Sequence, residues 1–209
     1  GRTYDGTTGA TIASCTLTGV VGTEEVTCDA ADATATFASP HAGTHSVSIS
    51  GLSLTGADAG NYTLASNATA TATIATRPIT VTAATDTKPY DGTTSSSGTP
   101  TITTGSLATG DSATWTQSFD TKAVGTGKTL TPAGSVTDGN AGADYAVTFV
   151  TATGSITAVD LTATVTVNGR TYDGTTGATI ASCTLTGVVG TEEVTCDAAD
   201  ATATFASPH

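Results

Sequence analysis

The chain has 209 residues, enough for one large domain or two to three small ones, and sets 6 basic against 18 acidic side chains for a formal charge of -12. That balance argues against binding nucleic acid or docking on an anionic membrane surface, since both demand a basic face. No apolar run approaches the roughly 18 residues of a spanning helix, and neither a signal-peptide pattern nor any methionine is present, so the sequence reads as a piece of something longer. Leu, Ile, Val and Phe supply only 34 residues, a composition that signals disorder where periodicity is lacking. Here 52 threonines and a marked periodicity favour strands instead.

In chain order, the first signal is the turn Tyr4-Asp5-Gly6, where Asp bonds backbone amides, Gly accepts positive φ and Tyr anchors the turn in the core. Cys15 and Cys28 follow, flanking a hairpin that turns at Val21-Gly22 and places Leu17 opposite Val26 and Cys15 opposite Cys28. Opposed strand residues lie at the Cα separation that a disulfide accepts. A step-two alternation then runs from His45 to Leu54 and again from Ala70 to Ile74, placing apolar side chains on one sheet face and Ser or Thr on the other. Turn clusters every 8–12 residues or so give the cadence of an all-β sandwich. Arg77 to Thr82 begins a new strand almost at once, and Tyr90-Asp91-Gly92 repeats the opening turn. After Trp115 and the loop before Tyr145, the strand Asp160 to Val165 leads into Tyr172-Asp173-Gly174.

Internal repetition organises these elements. Residues 1–41 recur unchanged as residues 169–209, an offset of 168, and a looser copy lies between them. The chain therefore divides into residues 1–76, a type A repeat without its first strand; residues 77–157, a complete type B repeat; and residues 158–209, the first part of a second type A repeat. Each complete repeat should hold about seven strands, and the near absence of linkers should limit flexing between neighbours. Such thin cores need reinforcement, which the pairs Cys15–Cys28 and Cys183–Cys196 should supply as disulfides. One cysteine pair per repeat without a histidine partner is a poor zinc site, and disulfides imply an oxidising, extracytoplasmic setting.

The Tyr-Asp-Gly-Thr-Thr openings, the segment Gly51 to Leu64 and the Arg77 to Thr82 junction resemble the YDG repeats of very large bacterial surface proteins, among them filamentous-haemagglutinin-like adhesins. The resemblance implies tandem immunoglobulin-like β-sandwiches acting as a surface stalk or adhesive fibre. It brings no catalytic residues.

The other notable residues have structural readings. Tyr62 and Tyr145 suit a tyrosine corner, and Trp115 suits a core position. His41 and His45 read as exposed loop histidines, because Gly43 between them breaks the helix on which such spacing would bind metal. Glu24 with Glu25, Asp29 with Asp32, and Asp138 with Asp144 read as solvated acidic surface. Calcium is the competing reading there, and no calcium-binding pattern supports it. Asn61 and Asn67 open glycosylation patterns of the kind that so Thr-rich a chain produces by chance. No nucleophile-and-base arrangement, phosphate loop or cofactor motif is present. The expectation is a non-enzymatic, extracellular structural repeat whose partners are neighbouring repeats or copies of the same protein. Direct adhesion to a glycan or a neighbouring filament is the alternative, and ice binding through ranked threonines a remote one.

Overall fold

The computed structural model describes residues 1–65 and 68–207. Asn67 of the second glycosylation pattern and His209 at the end of the 41-residue identity lie outside the described residues. The protein is all-β: the described residues contain several sheets, one short 3-10 turn (Ala59–Asn61) and no α-helix. No helix among them is long and apolar enough to cross a membrane.

Residues 1–76 carry β1 (Arg2–Thr3), β2 (Gly9–Ala10), β3 (Thr27–Asp29), β4 (Thr34–Phe37), β5 (Gly43–Ser50), β6 (Ser53–Thr55) and β7 (Ala68–Ala75). Type B carries β8 (Arg77–Thr82), β9 (Thr87–Pro89), β10 (Thr101–Thr104), β11 (Ser112–Phe119), β12 (Gly125–Thr137), β13 (Tyr145–Val150) and β14 (Ala152–Thr157). The last repeat adds β15 (Thr162–Val167), β16 (Gly177–Ala178), β17 (Ile180–Thr186) and β18 (Ala203–Thr204). A single residue separates β7 from β8.

The chain forms two compact units, and each draws on more than one repeat. The first comprises residues Gly1–Ala83, Thr99–Thr116 and Pro132–Val150. Its largest sheet has the order β1-β7-β5-β4-β2, in which β1 and β7 run parallel and the other pairs antiparallel. Alternation does the work expected of it: Ala35, Phe37 and Val47 point inward, while Thr34 bonds Ser50 and Thr44 bonds Thr73 through their hydroxyls on the outer face. A second sheet, β10-β8-β13, places β8 between an antiparallel and a parallel neighbour. With both edges paired, its Ile79 and Val81 are buried. The core joins the two repeats, because Tyr4, Phe37, Val47 and Ile74 pack in one cluster with Ile79, Val81, Val136 and Tyr145. Trp115 is half-buried against this cluster and meets Phe149 edge-on at 5.9 Å.

The second unit comprises Ala84–Gly98, Gln117–Thr131 and the chain from Thr151 onward. There, Phe119, Leu130 and Ile156 are buried where β14 pairs with β12. A side chain at Gly154 would come within 2.9 Å of both Leu130 and Phe119, so only glycine admits this close approach. β15 pairs antiparallel with β17, and β16 with β18.

The structure bonds Cys15 to Cys28 and Cys183 to Cys196, with Cα separations of 5.7 and 5.8 Å. The hairpin proposed to hold them is not what forms. Cys28 on β3 lies opposite Leu54 of β6, and Cys183 on β17 lies opposite Val165 of β15. Each bridge therefore ties a strand to a segment that belongs to no ladder among the described residues, and it does more than cross-link a ladder already closed by hydrogen bonds. Replacing Cys15 and Cys28 by serine should lower stability by about 3 kcal/mol, the chain-entropy value for a loop of this size, as read by urea denaturation. Non-reducing peptide mapping should recover only these two pairings.

Candidate functional site

Each Tyr-Asp-Gly turn has the same local build. Asp5 Oδ1 accepts the Thr7 amide and hydroxyl, both at 2.8 Å; Asp91 holds Thr93 at 2.9 Å in both contacts; Asp173 holds Thr175 at 2.9 and 3.0 Å. Gly6, Gly92 and Gly174 have φ of 80, 76 and 77°, the left-handed region that side chains avoid. A cation two residues before each tyrosine completes the turn. Arg2 reaches Asp5 at 2.7 Å, Lys88 reaches Asp91 at 2.7 Å and Arg170 reaches Asp173 at 2.8 Å. The same cations lie 5.6–5.7 Å from the ring centres of Phe37, Phe119 and Phe205. Arg2, Lys88 and Arg170 were not singled out from sequence, although their fixed spacing from Tyr-Asp-Gly is visible there. Lys88 holds the Asp91 carboxyl down at about 2, helped by the Thr93 amide.

The turns differ in what their tyrosines touch. Tyr4 is 3% exposed and stacks edge-on against Tyr145 of the next repeat, with ring centres 5.5 Å apart. Burial raises the Tyr4 pKa strongly, and the nearby Asp111 carboxylate raises it further. The Tyr145 hydroxyl accepts the Ala108 amide at 2.7 Å and donates to Asp111 at 2.6 Å. Tyr62 makes the matching pair of contacts, with the Val21 amide and Glu24. Both tyrosines thus tie down an acidic turn tip, and in type B that tip also meets the Tyr-Asp-Gly tyrosine of the repeat before it. Tyr90 repeats the arrangement one repeat later by donating to Glu192, which Lys122 also contacts at 3.0 Å. Tyr172 is 72% exposed.

Two expectations are corrected here. His41 is not a free loop histidine: its Nδ1 lies 2.7 Å from Asp144, and His45 Nε2 lies 2.8 Å from the His41 carbonyl. Asp138 and Asp144 are not solvated either. Asp144 is fully buried and accepts the Ala42 amide at 2.7 Å and the Asn140 side chain at 3.0 Å. Asp138 accepts the amides of Asn140, Gly142 and Asp144. Burial opposes its ionisation, yet these amides together hold its pKa below the usual carboxylate value. The His41–Asp144 contact had no signal in the repeat pattern, since type B has Ala123 where type A has His41 and type A has Asn61 where type B has Asp144. Among the described residues, no three His, Cys, Asp or Glu side chains converge as a metal site would require.

Replacing the buried Asp144 with alanine leaves the half-buried Ala42 amide and the Asn140 side chain without their acceptor, and should cost about 2 kcal/mol in urea denaturation. His41→Ala should cost less, because that ring is 33% exposed. The junction should also respond to alkali. Tyr145 is pushed up to about 12, chiefly by burial and with help from Asp111, against the Ala108 amide, which lowers it. A raised tyrosine pKa adds stability that is complete below pH 10 or so and lost as pH rises through the folded value. Urea denaturation at a series of pH values should show stability falling between about pH 10 and 12, and Tyr145→Phe should flatten that fall.

The sequence matches the YDG domain family over residues 1–72 and again over residues 75–154. No curated protein and no solved structure matches the chain. The two matched stretches are the first type A repeat and the type B repeat that share the Tyr4–Tyr145 core, and on this evidence the chain belongs to the YDG domain family.

Proposed function

We propose that this chain is a structural segment of a large extracellular bacterial surface protein, in which immunoglobulin-like β-sandwich repeats stack end to end as a stalk or adhesive filament. The role is mechanical and not catalytic. The observation that carries this reading is the shared core: a buried tyrosine of one repeat packs on a buried tyrosine of the next across a one-residue joint. Repeats joined this way resist bending and leave little exposed chain for proteases. The two disulfides favour an oxidising location, which is the support for placing the protein outside the cell. The partners in this reading are neighbouring repeats and other copies of the chain.

The test is small-angle scattering on chains that contain increasing numbers of 168-residue periods. The maximum dimension should rise by a constant increment per period; a compact particle whose radius grows as the cube root of mass would overturn the proposal. A glycan array on the same chains addresses direct adhesion, for which saturable binding to one glycan class is the required result.

A further inference from the structure

Type B holds no cysteine, whereas each type A repeat carries its own bridge. Type B has instead a polar trio that type A lacks. Ser95 bridges Ser118 as Gly9 pairs with Thr36, so Ser96 and Gln117 occupy the positions of the opposed pair Ala10 and Ala35. Asp86 stands four residues before Tyr90, where the second type A repeat has Asn168 before Tyr172. Gln117 is only 6% exposed, an uncommon burial for a carboxamide.

The trio is tightly organised. Gln117 Oε1 accepts the Ala84 amide at 2.8 Å, and Nε2 donates to the Ala84 carbonyl at 2.8 Å and to Ser96 Oγ at 2.9 Å. The two Ala84 contacts fix which end of the carboxamide is oxygen and which nitrogen. A Cβ at Gly98 would collide with Gln117 Nε2, so glycine lets the loop close over the carboxamide. Ser96 Oγ in turn donates its one proton to Asp86 Oδ2 at 2.5 Å. The Ser96 hydroxyl, with the amides of Ser97 and Gly98, holds the Asp86 carboxyl below its ordinary value against the opposing effect of burial. A hydroxyl aimed at an ionised carboxylate therefore touches the nitrogen of a buried carboxamide whose oxygen already faces a backbone N–H. These are the parts of an acyl transfer: nucleophile, base, electrophile and oxyanion donor.

We propose that Ser96 and Gln117 are a self-modification site, joined by an intramolecular ester that Asp86 helps to form. A side-chain adjustment carries Ser96 Oγ from beside Nε2 onto the face of Cδ, where the O–C bond forms. The hydroxyl proton passes to Asp86, and the charge that collects on Oε1 is met by the Ala84 amide. The C–N bond then breaks, Nε2 takes the proton back from Asp86, and ammonia leaves. Hydroxyl and carboxamide thus become ester and ammonia, with no oxidant, reductant or other reactant. The product ties the segment after the Tyr90-Asp91-Gly92 turn to β11, a covalent clamp in the repeat that has no disulfide, and one that reducing agents do not open.

The test is the intact mass of the full chain, folded first and then denatured without reduction. It should lie about 17 Da, one ammonia, below the mass of the sequence with its two disulfides. Ser96→Ala and Asp86→Asn should each restore the missing mass. Mild alkali should add one water to the wild type and leave glutamate at position 117, as read by peptide fragmentation. A folded wild-type chain at its full mass overturns the proposal, whatever the variants do. A loss of the same size that survives Ser96→Ala also overturns it, because ammonia has then left from an asparagine. A loss that persists in Asp86→Asn at the wild-type rate overturns the part given to Asp86. None of these outcomes touches the stalk reading, which stands or falls on how size grows with period number.

Discussion

A repeat of roughly 84 residues that draws on 34 Leu, Ile, Val and Phe side chains per 209 cannot fill a private core. The folded chain meets this shortage by pooling. In the first unit, five residues of one repeat and five of the next make a single buried cluster, and the residues brought to it are large: two tyrosines in edge contact and a phenylalanine. Pooling explains why the compact units do not coincide with the sequence repeats. It also explains why the joint between β7 and β8 is so short, since a flexible linker would add entropy to be lost each time the shared core forms.

Pooling makes local structure depend on neighbours, and the duplicated sequence shows this directly. Residues 180–186 form strand β17 because β15 lies beside them, while the identical residues 12–18 form no strand. Conversely, residues 27–29 form β3 against β6, and their copies at 195–197 do not pair. Tyr4 is buried and Tyr172 exposed within the same six-residue motif. Propensity and alternation mark where strands can form, and the pairing partner decides whether they do.

That division governs what could be read from sequence. The all-β class, the alternating faces and the Asp-Gly turn chemistry follow from local pattern, because each depends on residues within a few positions. The hairpin register about Val21-Gly22 failed because β3 takes β6 as its partner, a choice made 28 residues away in sequence. His41 and Asp144 were read as solvated for a similar reason: they meet across 103 residues at positions where the two repeat types differ. Alignment of repeats reveals what they share and is silent on contacts made by their differences.

Those differences lie at the junctions between repeats. Where type A precedes type B, Tyr4 meets the Asp111 tip and the buried Asp144 is satisfied by His41 and the Ala42 amide. Where type B precedes type A, Tyr90 meets Glu192 and the cation is Lys122. An A-to-A junction would present Pro40 where Lys122 stands, leaving the glutamate without its cation, and would offer Asn61 to His41 in place of Asp144. A B-to-B junction would place a buried Asp144 opposite Ala123, with the histidine missing. Buried carboxylates tolerate few substitutes for the donors that satisfy them. At the two junctions the carboxylates are held by contacts particular to the neighbour: Asp144 by the His41 ring and the Ala42 amide, and Glu192 by Tyr90 and Lys122.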